Sequence, residues 1–328
     1  MNPLFAGTVL ITGGTGSLGQ ALLARSERER WPAAVIVYSR DEVKQAAMAT
    51  RYPDVRFLLG DVQDADALGR AMRGVTTVVH AAAYKRVPEA ERETLACVGA
   101  NVVGSANVVR EALRAGVEHV IGISTDKACH PINAYGQSKS LMERLFQSAA
   151  RMPGGPAFHL VRYGNVLASR GSVVPMLRAQ AADGGPITLT DPGMTRFWLT
   201  LDDAVDLVIA ALTLPSGQTL IPACRAADMA TMAEAIAPGV PIEVIGSRDG
   251  EKRHESLLNV HESPFAAGSY SGWALRPLSA ERVGVLPDGF AYTSDIAPRL
   301  SAAELRSVVD DMDAGGHPRT LTQLAVAA

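Results

Sequence analysis

Short runs of β-branched and aliphatic residues alternate, through the first half of the chain, with longer stretches whose apolar positions recur at helical spacing. The runs are 8–12, 34–39, 55–59, 76–81, 119–125 and 158–163, and the periodic stretches between them are 18–29, 41–51, 65–73, 101–115 and 135–150. A near-continuous apolar run marks a strand buried on both faces, and a 3.6-residue period marks a helix laid against it. The alternation predicts an α/β fold, a Rossmann-type doubly wound parallel sheet. After Tyr163 the rhythm breaks into a helix at 173–182, a strand at 187–190, a helix at 201–212 and short strands near Leu220 and Val244. We expect a first domain at 1–165, with 194–222 returning to it. A smaller mixed α/β lobe should comprise 166–193 and 223–300, and a C-terminal helix and tail 301–328, loosely ordered beyond Ala314.

Between the first strand and the first helix stands Thr12-Gly13-Gly14-Thr15-Gly16-Ser17-Leu18-Gly19. Glycines there permit a tight turn and close approach of backbone to a pyrophosphate, which the helix N-terminus holds with free N–H groups and its dipole. The first domain is thus expected to bind a dinucleotide. The second strand ends in Tyr38-Ser39-Arg40, where an acidic residue would accept from an unphosphorylated ribose. Ser39 and Arg40, with Lys44 a helical turn on, suit a 2′-phosphate, so NADP is expected over NAD, although Asp41 pulls the other way. Asp61 and Val62, after the third strand, are placed to meet the adenine.

Tyr135 and Lys139 open the helix after the fifth strand, one turn apart on one face. A cation at Lys139 is expected to lower the phenol's pKa, so that Tyr135 can take a hydroxyl proton as a hydride leaves the same carbon. Just upstream, Asp126 and Lys127 stand at the carboxyl end of that strand, where open α/β sheets bind ligands. An oxidation alone needs only a hydroxyl here. An adjacent acid and amine can also protonate a leaving hydroxyl and remove a carbon-bound proton. As a carbon base Lys127 needs a lowered pKa, through burial or through Lys85 and Lys139.

With these motifs in hand, the chain resembles the extended short-chain dehydrogenase/reductase superfamily, and within it the soluble, C5-inverting UDP-N-acetylglucosamine 4,6-dehydratases. The resemblance runs from about Thr8 to Glu255. It rests on the glycine loop, Val37-Tyr-Ser-Arg-Asp-Glu42, His80-Ala-Ala-Ala83, Ser124-Thr-Asp-Lys-Ala128, Asn133-Ala-Tyr135-Gly and Val161-Arg-Tyr-Gly-Asn-Val166. Arg170-Gly-Ser-Val-Val-Pro175, Met194-Thr-Arg-Phe-Trp198 and Gly250-Glu-Lys-Arg-His-Glu255 complete it. The resemblance implies that Tyr135 takes the C4 hydroxyl proton, Lys127 the C5 proton, and that Asp126 protonates the departing C6 hydroxyl. It adds Ala81, Ala82, Ala83 and Lys85 to the cofactor site. It gives the lobe a UDP-sugar site of Lys85, Thr125, Asn165, the Val173-Val174 backbone, Arg196, Arg248 and Glu251, and it suggests a homo-oligomer. Tyr84-Lys85-Arg86 departs from the family's leucine, lysine and histidine, which leaves the sugar open. Cys129 reads as packing and His130 as a loop residue.

A net charge of −3 offers no field for a polyphosphate backbone, so no nucleic-acid partner is expected. Three scattered cysteines make neither a disulfide framework nor a zinc site; a cytoplasmic protein without a metal or membrane span is expected. Two other functions use the same parts: a nucleotide-sugar epimerase or different dehydratase, and a non-catalytic NADP-sensing module. Intact Tyr135 and Lys139 weigh against the module, and the Asp126-Lys127 pair weighs against simple epimerisation.

Overall fold

The computed structural model describes residues 7–31, 34–269, 272–316 and 321–322. The predicted alternation is realised as β1 (Thr8–Thr12), β2 (Ala34–Ser39), β3 (Arg56–Leu59), β4 (Thr77–His80), β5 (His119–Thr125) and β6 (Ala157–Tyr163). Between them run α1 (Ser17–Arg28), α2 (Glu42–Arg51), α3 (Ala65–Ala71), α4 (Val87–Arg92), α5 (Thr94–Val98), α6 (Gly104–Ala115) and α7 (Ala134–Ala149). The second half supplies β7 (Asn165–Val166), α8 (Val173–Ala182), β8 (Ile187–Leu189), β9 (Thr195–Leu199), α9 (Leu201–Ala211) and β10 (Thr219–Pro222). It continues with β11 (Ala226–Asp228), α10 (Met229–Ile236), β12 (Ile242–Val244), β13 (Ser256–Leu258), β14 (Ala266–Ser269), β15 (Gly272–Leu275), β16 (Tyr292–Thr293) and α11 (Ala302–Asp313).

One sheet dominates, in the order β3-β2-β1-β4-β5-β6-β10-β15-β14, parallel from β3 to β10 and antiparallel beyond. Its strands alternate faces with period two. Val9 and Ile11 of β1 pack with Leu22 and Leu23 of α1 and Val205 and Val208 of α9. Leu10 between them points to the other face, with Leu68, Val108 and Phe146 of α3, α6 and α7. The lobe has its own core, where Leu177, Leu189, Trp198, Met232 and Leu305 meet. The strand order reverses between β1 and β4, which opens a crevice at their carboxyl ends.

Four expectations need correction. The pair β14–β15, placed with the lobe on sequence, extends the large sheet, because Ile221 of β10 still offers an open edge that Trp273 can pair with. Residues 195–199, expected to return to the first domain, form β9 between β7 and β11 instead. The helix expected at 101–115 begins as a π-helical turn, Gly99–Val103, continuing from α5. A Cβ at Gly104 would lie 2.5 Å from Val62 Cγ2, so the segment packs closely against the β3–α3 loop there, whereas one at Gly99 would meet only the movable end of Gln63. Within the tail, Leu321 and Thr322 are tied to the Asp203 carboxylate, at 3.1 and 3.2 Å; 317–320 and 323–328 lie outside the described residues.

Candidate active site

The turn after β1 is built around Gly13, whose φ of +65° suits glycine and whose Cβ would lie 2.7 Å from the Ala82 backbone. A Cβ on Gly19 would lie 2.2 Å from the Gly14 carbonyl oxygen, so α1 can start this close to the turn only with glycine there. Gly16 caps α1 without a side-chain hydrogen bond, leaving the first N–H groups open to a cavity of about 870 Å³. This opening fits a dinucleotide pyrophosphate.

Most expected cofactor residues line that one cavity: Gly13, Thr15, Gly16, Ser17, Leu18 and Gly19, then Ser39, Arg40, Lys44, Asp61, Val62, Ala81, Ala82, Ala83 and Lys85. Thr12 does not. It is buried, and its Oγ1 is 2.8 Å from Nδ1 of His80, whose Nε2 is 3.0 Å from Ser105 Oγ, so its side chain braces the end of β1. At the ribose end the two expected cations already have partners. Arg40 reaches Asp61 at 3.1 Å and Lys44 pairs with Asp41, the cap of α2. Both pairs are exposed, and such pairs contribute only about 0–1 kcal/mol, so either cation can be given over to a phosphate. Burial, then Arg170 and Arg86, pulls the Lys85 ammonium below its usual range.

The same cavity receives Thr125, Lys127, Tyr135 and Lys139 from the end of β5 and the start of α7, where Asn133 caps the helix by accepting from Gly136 N at 2.7 Å. Burial pushes the Tyr135 phenol up to about 12, against the opposing pull of the Lys127 ammonium and a hydrogen bond with Thr125. The expected lowering of the phenol is outweighed by burial, and the cation that pulls against burial is Lys127 rather than Lys139. Lys139 points its Nζ at Met142 Sδ, 2.9 Å away, and burial brings its ammonium down to about 8 despite Glu143.

Asp126 and Lys127 sit in a short 3-10 turn begun by Thr125, whose hydroxyl donates to Asp126 Oδ1 at 3.0 Å. Asp126 is fully buried beneath the cavity, with Oδ2 lacking any partner among the described residues. Burial and the nearby Glu255 raise its pKa above the usual carboxylate range, although Lys127 opposes them. For Lys127 the expected lowering fails. Burial works against its ammonium, but Asp126 and Glu255 on either side more than offset that, and its pKa lies well above the ordinary range. Lys85 and Lys139, expected to lower it, are replaced in that role by Arg196.

A second cavity, about 550 Å³, adjoins the first. Asn165, Val173 and Arg248 face both cavities, whereas Arg196 and Glu251 line only the second. Val174 has its side chain in the lobe core, and its backbone lies in the first turn of α8. Among the described residues Glu251 Oε2 is buried without a partner, and no ion pair joins Glu251 to Arg248. Asn165 Oδ1 lies 3.4 Å from Lys127 Nζ, which ties the lobe's inner wall to the reactive pair.

Three residues were given no role on sequence. Arg170 arches from the lobe over the glycine loop, its guanidinium on Thr15 O and its backbone N 3.1 Å from Ser17 Oγ. Asn101, in the π turn, holds both the N–H and the carbonyl of Tyr84, at 2.7 and 2.9 Å. Glu255 meets Lys127 at 3.3 Å. Arg170 and Glu255 stand in the resemblance motifs, the only signal that pointed at them. Among the described residues no cluster of His, Cys, Asp or Glu could hold a metal, and no helix is long and apolar enough to cross a membrane.

The family model described as polysaccharide biosynthesis protein matches residues 9–268. UDP-N-acetylglucosamine 4,6-dehydratase (inverting) of Campylobacter jejuni is 36% identical over 323 residues, covering 92% of this chain and 97% of its own. UDP-glucose 4-epimerase of Rickettsia akari is 38% identical over 331 residues, covering 93% and 96%. Among solved structures, Pen from Bacillus thuringiensis superposes with a TM-score of 0.87 at 31% identity, over 95% of this chain and 99% of that one. The dTDP-glucose 4,6-dehydratase of Streptomyces venezuelae, solved with NAD and TYD, shares the fold at 22% identity and a TM-score of 0.68, over 75% of this chain and 86% of its own.

Proposed function

Because the chain belongs to the polysaccharide biosynthesis protein family, within the extended short-chain dehydrogenase/reductases, we propose that it is a nucleotide-sugar 4,6-dehydratase. Its substrate is UDP-N-acetylglucosamine and C5 is inverted. The observation that carries this reading is the Asp126–Lys127 pair, 3.1 Å apart, with Lys127 in the same cavity wall as Tyr135 and Lys139 and Asp126 buried directly behind it. An epimerase needs Tyr135 alone for its proton; the pair has a task only if a hydroxyl must leave.

A nicotinamide dinucleotide held over the glycine loop at Gly13, Thr15, Gly16 and Ser17 would supply the hydride acceptor for C4 and the hydride donor for C6. Tyr135 takes the C4 hydroxyl proton, so the carbon becomes a ketone and its C5 neighbour becomes acidic. Lys127, in its neutral form, removes the C5 proton. Asp126 gives its own proton to the departing C6 hydroxyl, which leaves as water; the partnerless Oδ2 is the oxygen that carries it. Return of the hydride from the bound cofactor to C6, and reprotonation of C5 on the opposite face by a solvent-derived proton, would complete the 4-keto product. Ser39, Arg40 and Lys44 favour NADP, since a 2′-phosphate gives both cations a stronger partner than an exposed carboxylate. The second cavity takes UDP. The first turn of α8 at Val173 and Val174, with Arg196, Arg248 and Asn165, faces the diphosphate. The orphan Glu251 oxygen accepts from a ribose hydroxyl or a base N–H.

The epimerases among the relatives favour a second reading, epimerisation at C4. Incubation with UDP-N-acetylglucosamine in deuterated water separates the two by mass. Dehydration removes one water and leaves solvent deuterium at C5, whereas a turned-over product of unchanged composition would establish the epimerase and exclude the dehydratase.

A further inference from the structure

We infer that Glu255 is a positioning residue that clasps the Lys127 ammonium against Asp126 across the boundary between domain and lobe. Asp126, Lys127 and Glu255 then act as one acid–base unit. The inference rests on the dehydratase reading for its consequence in turnover, but not for the charge arrangement itself.

Lys127 Nζ stands 3.1 Å from Asp126 Oδ1, 3.3 Å from Glu255 Oε1 and 3.4 Å from Asn165 Oδ1. Asp126 and Lys127 come from the turn after β5, whereas Glu255 comes from the lobe, 128 residues later in the chain. Glu255 cannot easily move away. Its backbone N donates to Ser294 Oγ at 2.8 Å, and that hydroxyl donates to Thr195 O at 3.0 Å. His254 beside it bridges to Thr195, 2.8 Å from ring nitrogen to hydroxyl. Lys252 anchors on Cys129 O at 2.7 Å and faces the second carboxylate oxygen at 3.5 Å. Only 2% of Glu255 is exposed, so its charge is screened by protein groups rather than by water.

The groups facing Lys127 are the two carboxylates, the Asn165 amide, the Arg196 guanidinium of β9 and the Tyr135 phenol of α7. Burial opposes the Glu255 carboxylate, but Lys127, Arg196 and Lys252 hold it below its usual range, so it keeps its negative charge. That charge has two effects. It holds Lys127 as an ammonium, and by like-charge repulsion it discourages Asp126 from ionising. Lys127 therefore rests as an ammonium, and the neutral amine that catalysis requires appears at a higher pH with the Glu255 charge than without it.

The test is E255Q, which keeps the shape and removes the charge. In cofactor-bound protein labelled with 13C and 15N at lysine, the Lys127 signal, assigned by its loss in K127M, should titrate at least one pH unit lower in E255Q than in the wild type. The rise of kcat for water loss with pH should move down by the same amount. E255D, which keeps the charge, should titrate where the wild type does even if its kcat falls, and it decides the matter should E255Q not fold. Superimposable titrations in wild type and E255Q, or an E255D titration displaced as far as expected for E255Q, overturn the inference. A displaced titration in a protein that never dehydrates a UDP-sugar sustains the charge assignment and refutes the dehydratase reading instead.

Discussion

Tyr135 shows how far a single side chain can be read before its surroundings are known. Its spacing from Lys139 after the fifth strand marks it as the candidate proton acceptor. That spacing also suggested the wrong cation, because Lys139 turns its Nζ toward Met142 while Lys127 faces the phenol. Tyr135→Phe should leave the protein folded and cofactor-loaded, since it deletes one hydroxyl, but should lower turnover by at least about 100-fold, the usual minimum for a positioned acid–base group. Single-turnover cofactor absorbance checks it: a variant that still reduces the cofactor on mixing with substrate at the wild-type rate sinks the assignment. Asp126 and Lys127 were equally legible because they are neighbours in sequence. Glu255 was not, since its approach depends on Ser294 and Thr195, which no local pattern brings together.

At the scale of elements, the long strands and helices of the first domain were legible because burial on both faces and helical period leave strong patterns, and β1, β2 and β5 begin and end where the pattern does. The missed elements are short or wholly buried. All five residues of β9 are buried, so no alternation marks it, and the π turn reads as plain helix. That turn has a specific task. Asn101 gives Tyr84 both of its backbone partners and also donates to Ser138 Oγ at 2.8 Å, fixing the segment that carries Lys85 into the cavity. Asn101→Ala should leave those groups unpaired and destabilise the fold by about 1–3 kcal/mol. It should also weaken cofactor retention through Lys85. Thermal unfolding and the cofactor content after gel filtration measure both, and an unchanged melting temperature would show that water replaces the amide without loss.

Taken as a whole, the molecule couples a parallel, doubly wound sheet that the sequence implies to a lobe whose boundaries it blurred, because β14 and β15 take an edge of the large sheet that only the folded β10 creates. The sheet also carries buried imidazoles at both ends, and these govern its response to acid. At the carboxyl end, burial takes His80 down to about 3, with Lys139 adding to it. At the other end, burial and the neighbouring His119 take His159 down to about 4. Unfolded histidine titrates near 6.5, so from there down to about pH 4 the unfolded chain binds protons that the folded chain refuses, and stability falls as pH falls. At pH 5 each site should have lost about 2 kcal/mol, from roughly 1.4 kcal/mol per pH unit. Asp126 opposes this with the reverse sign, because its raised folded pKa binds a proton before the unfolded carboxyl does. The carboxylates held low, such as Glu262 and Glu304, act only below the pH where unfolded glutamate titrates. Denaturant unfolding between about pH 7.5 and 5 covers the histidine window above the range where most unfolded carboxyls titrate. The wild type should lose stability steadily below about pH 6.5. His80→Gln and His159→Gln, whatever each costs at neutral pH, should each flatten that slope. A slope that stays as steep in both variants would assign the acid sensitivity to other groups.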